Sequence, residues 1–196
     1  MAKLPAEMPV GPLPDLLAWW RQARVKGLII GGLAVALLGR PRTTRDLDAM
    51  VFVDEKRWAE FLKLGKQWSF KSRIPKPLEF ANEARVFLLL HRATGIEVDL
   101  SLANMDLEKE ILDRSRKVRL GRLFVPVPTR EDLIILKAIA NRPKDQVDIQ
   151  GLLDMGKELD LAHIRTHVER FAELLEQPEL YAEIDRVLLR HAKGRD

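Results

Sequence analysis

GLIIGGLAVALLGRPRTTRDLDAMVFV, residues 27–53, holds two apolar runs separated by a short basic loop, and its reading decides the fold. Val25 to Ile30 predicts a short buried strand that stops at Gly31-Gly32. The following LAVALLG is rich in helix-forming Ala and Leu and ends at Gly39, which predicts a short helix. The run from Gly27 to Gly39 falls short of the roughly 20 residues that span a bilayer, and two central glycines interrupt it. It therefore reads as buried core rather than membrane. RPRTTR is a polar loop. In RDLDAMVFV, Asp46, Asp48 and Met50 alternate with Leu47, Ala49 and Val51, the period of a strand, so Asp46 and Asp48 are expected on one face.

Working outward, residues 12–24 place Leu16, Leu17, Trp20 and Ala23 near helical spacing, with Trp19 and Trp20 as packing anchors. Asp54 is an N-cap for a helix over about 55–66, and IPKPLEF, with two prolines, reads as a loop or insertion. ARVFLLLH (84–91) and GIEVDL (95–100) flank a short turn at Ala93-Thr94-Gly95 and predict a hairpin. A helix follows near 105–115, and KVRLGRLFVPVP predicts a second hairpin around Gly121. Thr129 starts a capped helix at TRED, and the pattern stays helical from there. The expected architecture is α+β: a mixed sheet with flanking helices over residues 1–127 and a helical portion over 128–196.

Composition narrows the chemistry. With 196 residues the chain can bury a core without disulfides or structural metal. Cysteine is absent, which excludes a disulfide scaffold, a thiolate zinc site and a cysteine nucleophile. The start MAKLPAEMPVGPLP lacks the apolar stretch of a signal peptide, so a cytoplasmic location is expected. The net charge of +4 suits an anionic partner such as nucleotide or nucleic acid.

Three features then combine: Gly31-Gly32 at a strand end, Asp46-Leu47-Asp48 on the next strand, and Asp99 on a later one. Carboxylates two apart on a strand lie about 7 Å apart at the backbone, close enough to grip hard cations such as magnesium. A third carboxylate from a neighbouring strand would complete a two-metal clamp for phosphoryl displacement. A Gly-Gly turn before a helix offers backbone N–H groups to an anion without Cβ obstruction. Arg40, Arg42 and Arg45 crowd the loop, and guanidinium groups bind phosphate in a fixed fork. Each feature alone has a plain explanation in a turn or a solvated strand face, but a half-buried carboxylate pair is costly unless paired or metal-bound.

These residues resemble the signature of the DNA polymerase beta superfamily of nucleotidyltransferases: Ile30-Gly31-Gly32, a thirteen-residue spacer, Asp46-Leu47-Asp48, and the distant Asp99. Within it, RTTRDLD and the later LIILKAIANRPKDQVDIQGLL resemble the AbiEii-type toxin nucleotidyltransferases. The resemblance implies that Asp46, Asp48 and Asp99 hold Mg2+, with Mn2+ as a substitute. Asp99 alternatively accepts the acceptor's proton, and Glu97 is its rival for the third position. It further implies that Gly31, Gly32, Arg42, Thr44 and Arg45 contact the NTP, joined by Lys137 and Lys144 from a basic patch. The implied activity is transfer of an NMP from an NTP to RNA such as tRNA, to a protein or to a small molecule, with an antitoxin partner and no membrane.

Other readings compete. A solvated helix surface explains Lys137 equally well; on the nucleotide reading Lys137→Ala is expected to weaken NTP binding while leaving the fold intact, and Asp145 and Asp148 are expected to pair with nearby Arg or Lys. His163 and His167 lie one turn apart and could ligate zinc, yet no Glu follows His163 and no third ligand suggests itself. Trp58, Trp68 and Phe70 could stack on bases, although their spacing suits a core. The function of a different class is a non-catalytic nucleotide- or RNA-binding module on the same fold.

Overall fold

The computed structural model describes residues 8–156 and 158–193. The chain forms two compact units: one takes the chain up to Ala34 and Arg42–Pro128, the other Val35–Pro41 and the chain from Thr129 onward.

The first unit is built on a five-stranded mixed sheet. Its strands are β1 (Lys26–Ile29), β2 (Leu47–Phe52), β3 (Phe70–Ser72), β4 (Val86–His91) and β5 (Ile96–Leu102), in the order β1-β2-β5-β4-β3. Only β2 and β5 run parallel, and the other pairs are antiparallel. The expected β4–β5 hairpin forms around Gly95. Period-two alternation assigns the two faces. Leu47, Ala49, Val98, Leu100, Phe87 and Leu89 are buried on one face; Asp48, Asp99 and Glu97 lie on the other.

The apolar face is covered by helices α1 (Leu13–Ala23) and α3 (Trp58–Gly65); between them in sequence, α2 (Gly31–Leu38) follows β1. Trp19 of α1 stacks on Phe61 of α3 with ring centroids 4.2 Å apart, and its indole N–H donates to the Phe61 carbonyl at 3.1 Å. Phe70 meets Trp19, and Trp58 meets Phe87 edge-on. Trp58 and Phe70 are therefore core residues, as their spacing indicates, while Trp68 donates to Gln22 near the surface. His91 enters the same core with one ring nitrogen on Asp15 and the other on Thr94, each at 2.9 Å.

Two stretches depart from the sequence reading. IPKPLEF is not all loop: Pro77 occupies the first turn of α4 (Pro77–Ala84), where a missing N–H costs nothing. The three-residue β3 ahead of it was too short for alternation to register. After α5 (Asp106–Arg114), the second hairpin forms as expected from β6 (Arg116–Leu120) and β7 (Leu123–Val127), with β7 packed against β1.

The second unit contains α6 (Arg130–Ala140), α7 (Pro143–Met155), α8 (Leu161–Leu174) and α9 (Pro178–Lys193). Thr129 caps α6 by accepting from Asp132 N. The Arg40–Asp154 ion pair and the Arg130 hydrogen bond to the Leu38 carbonyl tie residues 35–41 to these helices. No helix among the described residues is long and apolar enough to cross a membrane.

Because Trp19 is fully buried and fills the space beside Gly65, Trp19→Ala is expected to cost about 3–5 kcal/mol of stability. Urea denaturation followed by circular dichroism measures it, and a loss below about 1 kcal/mol would show that α1 is not part of this core.

Candidate active site

Gly31, two residues past the end of β1, opens α2 with a left-handed φ of 58°, a conformation that favours glycine. A side chain there would collide with the Asp48 carboxylate. Ile30 N donates to the Asp48 carbonyl at 3.0 Å, so the first turn of α2 is seated directly against β2. A Cβ on Gly32 would come within 2.7 Å of Thr44 Cβ. The Thr44 hydroxyl in turn donates to Asp46 Oδ1 at 2.6 Å. The Gly-Gly step thus lets a helix N-terminus, Thr44 and two carboxylates crowd together without side-chain bulk.

Asp48 and Asp99 are register partners on the parallel strands β2 and β5, side by side on the same face. Asp46 lies one residue before β2 and acts electrostatically on Asp99. Burial pushes the Asp99 carboxyl up, Arg73 opposes that, and the charges of Asp46 and Glu97 push it up again, leaving it above its ordinary value. Carboxylate oxygen is the ligand type that a hard divalent cation prefers, and Asp48 and Asp99 are the two carboxylates in register. A perturbed carboxyl among other carboxylates is a feature shared by reaction sites and structural ion-pair networks.

Arg73 is the site residue that sequence reasoning missed. Its guanidinium forks, one nitrogen donating to Asp99 Oδ1 and the other to Glu97 Oε2. Its backbone N–H donates to the Leu88 carbonyl at 2.9 Å, prolonging the β3–β4 ladder by one residue. The available signal was an arginine just past a strand too short to recognise. Of the two rivals for the third carboxylate, Asp99 is in register with Asp48, and both Asp99 and the more exposed Glu97 bond to Arg73.

The remaining candidates divide by unit. Arg42 is half-buried and donates to the Thr43 carbonyl, and Arg45 is exposed in the same loop. Lys137 and Lys144 belong to the second unit, where Lys144 is exposed on α7. Lys137 is not on a solvated surface: it is buried, with its ammonium 2.8 Å from Asp145 Oδ1 and 2.9 Å from Asp148 Oδ2. Asp145 and Asp148 pair with a basic residue, as their sequence setting indicates. Burial pushes the Asp145 carboxyl up, but hydrogen bonds from Arg142 and Lys137 outweigh it and hold it below its ordinary value. His163 Nε2 sits 2.9 Å from the buried Asp132, and His167 Nδ1 lies 3.0 Å from the His163 carbonyl.

A family model described as "Nucleotidyltransferase of unknown function (DUF6036)" matches residues 17–184. No curated protein matches the sequence. Among solved structures, the lincosamide antibiotic adenylyltransferase LnuA, with lincomycin bound, superposes with a TM-score of 0.55 at 14% identity, covering 76% of this chain and 99% of that one. ANT(2″)-Ia in complex with adenylyl-2″-tobramycin gives 0.56 at 16% identity over 85% and 98% of the two chains. An antigenic nucleotidyltransferase-like protein from Paracoccidioides brasiliensis gives 0.52 at 18% identity over 92% and 94%. At these identities the likeness is one of fold.

Two expected outcomes test the local physics. Gly31→Ala forces a left-handed alanine against Asp48 and is expected to cost about 1–3 kcal/mol from the backbone alone, read by urea denaturation. Lys137→Ala leaves Asp145 and Asp148 without their shared cation and is expected to cost about 3–5 kcal/mol, in contrast to the small effect expected of a surface lysine. Since the folded Asp145 sits below its unfolded value, its stabilisation is present above the ordinary carboxylate range and disappears as pH falls through the folded value. Stability measured against pH should therefore drop on acidification, and Asp145→Asn should flatten that dependence; an unchanged profile would remove Asp145 as its source.

Proposed function

We propose that this chain, which belongs to the DUF6036 family of nucleotidyltransferases, transfers a nucleoside monophosphate from an NTP to an acceptor hydroxyl on the face formed by Asp46, Asp48 and Asp99. The observation that carries this reading is the register pairing of Asp48 with Asp99 beside the glycine-opened N-terminus of α2.

In this reading Asp46, Asp48 and Asp99 hold Mg2+, or Mn2+ in its place. Bound there, the cation neutralises charge on the transferring phosphoryl oxygens. Gly31 and Gly32 take the nucleotide phosphates at a helix N-terminus, while Arg42, Thr44 and Arg45 line the loop that bears on them. The acceptor oxygen forms its bond to the α-phosphorus, the bond to the β-phosphate oxygen breaks, and pyrophosphate leaves. Asp99 completes the carboxylate set or takes the hydroxyl proton, and its raised pKa suits the second role. Lys137 and Lys144 belong to the second unit, and the case for Lys137 as a phosphate contact is weakened by its two carboxylate partners.

The acceptor is RNA, a protein or a small molecule. The antibiotic adenylyltransferases with this fold support a small-molecule acceptor, and the net charge of +4 supports RNA. Action as a toxin with an antitoxin partner rests on the resemblance of RTTRDLD and LIILKAIANRPKDQVDIQGLL. A second reading, a nucleotide- or RNA-binding module without turnover, draws on Arg73 already holding the Asp99 oxygen.

Incubation with each labelled NTP, Mg2+ and total RNA, lysate protein or a panel of hydroxylated antibiotics is expected to label one acceptor class. Asp48→Ala should lower transfer by about a hundredfold or more with folding retained, and Glu97→Ala should lower it far less than Asp99→Ala. Near-normal transfer by Asp48→Ala would overturn the carboxylate assignment, and NTP binding without any transfer would favour the non-catalytic module.

A further inference from the structure

The β6–β7 hairpin has two unlike faces. Its inner face carries Val118, Val125 and Val127, with the last two fully buried. Its outer face pairs Lys117 with Pro126 and Arg119 with Phe124 across the strands. Arg116, Lys117, Arg119 and Arg122 are all exposed, and Phe124 is 62% exposed. The stretch from Ser115 to Arg130 contains no aspartate or glutamate. Among the described residues, none of these four cations forms an ion pair with a carboxylate.

Phe124 stands bare on this outer face, in register with Arg119. Beside Lys117 and Arg119 on the same face and Arg122 in the turn, with Arg116 on the inner face opposite Val127, it has the make-up of a surface for single-stranded polynucleotide: charges that track a phosphate backbone and a ring on which a base can stack. A small or positively charged acceptor would gain nothing from this array. The location is also suitable, because β7 packs against β1, the strand that leads into Gly31.

We propose that the outer face of the β6–β7 hairpin binds single-stranded polynucleotide, with Phe124 as a base-stacking platform and Lys117, Arg119 and Arg122 as phosphate contacts. This deepens the nucleotidyl-transfer reading by naming the acceptor class as RNA, and it rests on that reading for the acceptor role but not for binding.

The test is fluorescence anisotropy of a labelled oligo(U) of about 12 nucleotides, with oligo(dT) and an RNA duplex as further arms, titrated with the whole chain. Wild type is expected to bind both single strands in preference to the duplex, with affinity falling as salt rises. Phe124→Ala should weaken binding about tenfold, and Phe124→Trp should restore it. Lys117→Glu and Arg122→Glu should each weaken binding, and Lys117→Gln should reduce the salt slope by about 0.7. These side chains lie outside the core, so thermal melting should not change. Asp48→Asn should bind oligo(U) as wild type does, which separates the docking surface from catalysis. Absence of oligo(U) binding, preference for duplex, or wild-type affinity in Phe124→Ala would overturn the proposal. Transfer to a small acceptor by a protein that ignores oligo(U) would overturn it while leaving nucleotidyl transfer standing.

Discussion

Asp48 and Asp99 stand next to each other on parallel strands, two like charges at a spacing of about 4.8 Å, and the surrounding structure can be read as what makes that arrangement tolerable. Cross-strand like charges are destabilising, so this pair persists because its neighbourhood is specialised. Gly31 removes the Cβ that would displace the Asp48 carboxylate. Thr44 donates to Asp46. Arg73 brings a cation to Asp99 from the far edge of the sheet. The opposite face of the same strands is an ordinary apolar layer under Trp19, Phe61 and Phe70. One face holds the sheet in place, and the other is left to concentrate charge.

Arg73 shows how the carboxylates share out their roles. Its two arms reach two acids, Glu97 and Asp99, that lie two residues apart on β5. Glu97 shares the arginine's charge from a more exposed position, while Asp99 stays in line with Asp48. The face that carries Asp48, Glu97 and Asp99 thus also carries the Arg73 guanidinium, bonded to the last two. The buried cluster of Lys137, Asp145 and Asp148 uses the same chemistry for a different end. With its charges closed on one another between α6 and α7, breaking it is costly, and its contribution is to the helical unit itself.

Sequence by itself determined a good deal. Apolar runs, alternation and glycine punctuation in residues 27–53 sufficed for the strand–helix–strand order, because β1, α2 and β2 are each specified by local pattern. The acidic face was legible for the same reason: Asp48 and Asp99 each alternate with apolar neighbours, and alternation assigns a face without knowledge of partners. Both hairpins were legible from their turns. Tertiary structure alone decided the rest. That β2 and β5 are parallel neighbours, with Asp48 opposite Asp99, depends on a pairing some fifty residues apart that no local signal encodes. Arg73 was invisible because β3 spans only three residues and its partners come from another strand. Lys137 reads as a surface charge in one dimension, since lysine is rarely buried; only the packing of α7 against α6 places two carboxylates on it and turns a solvated side chain into a buried one. Local periodicity states which way a residue faces, and long-range pairing decides what it meets there.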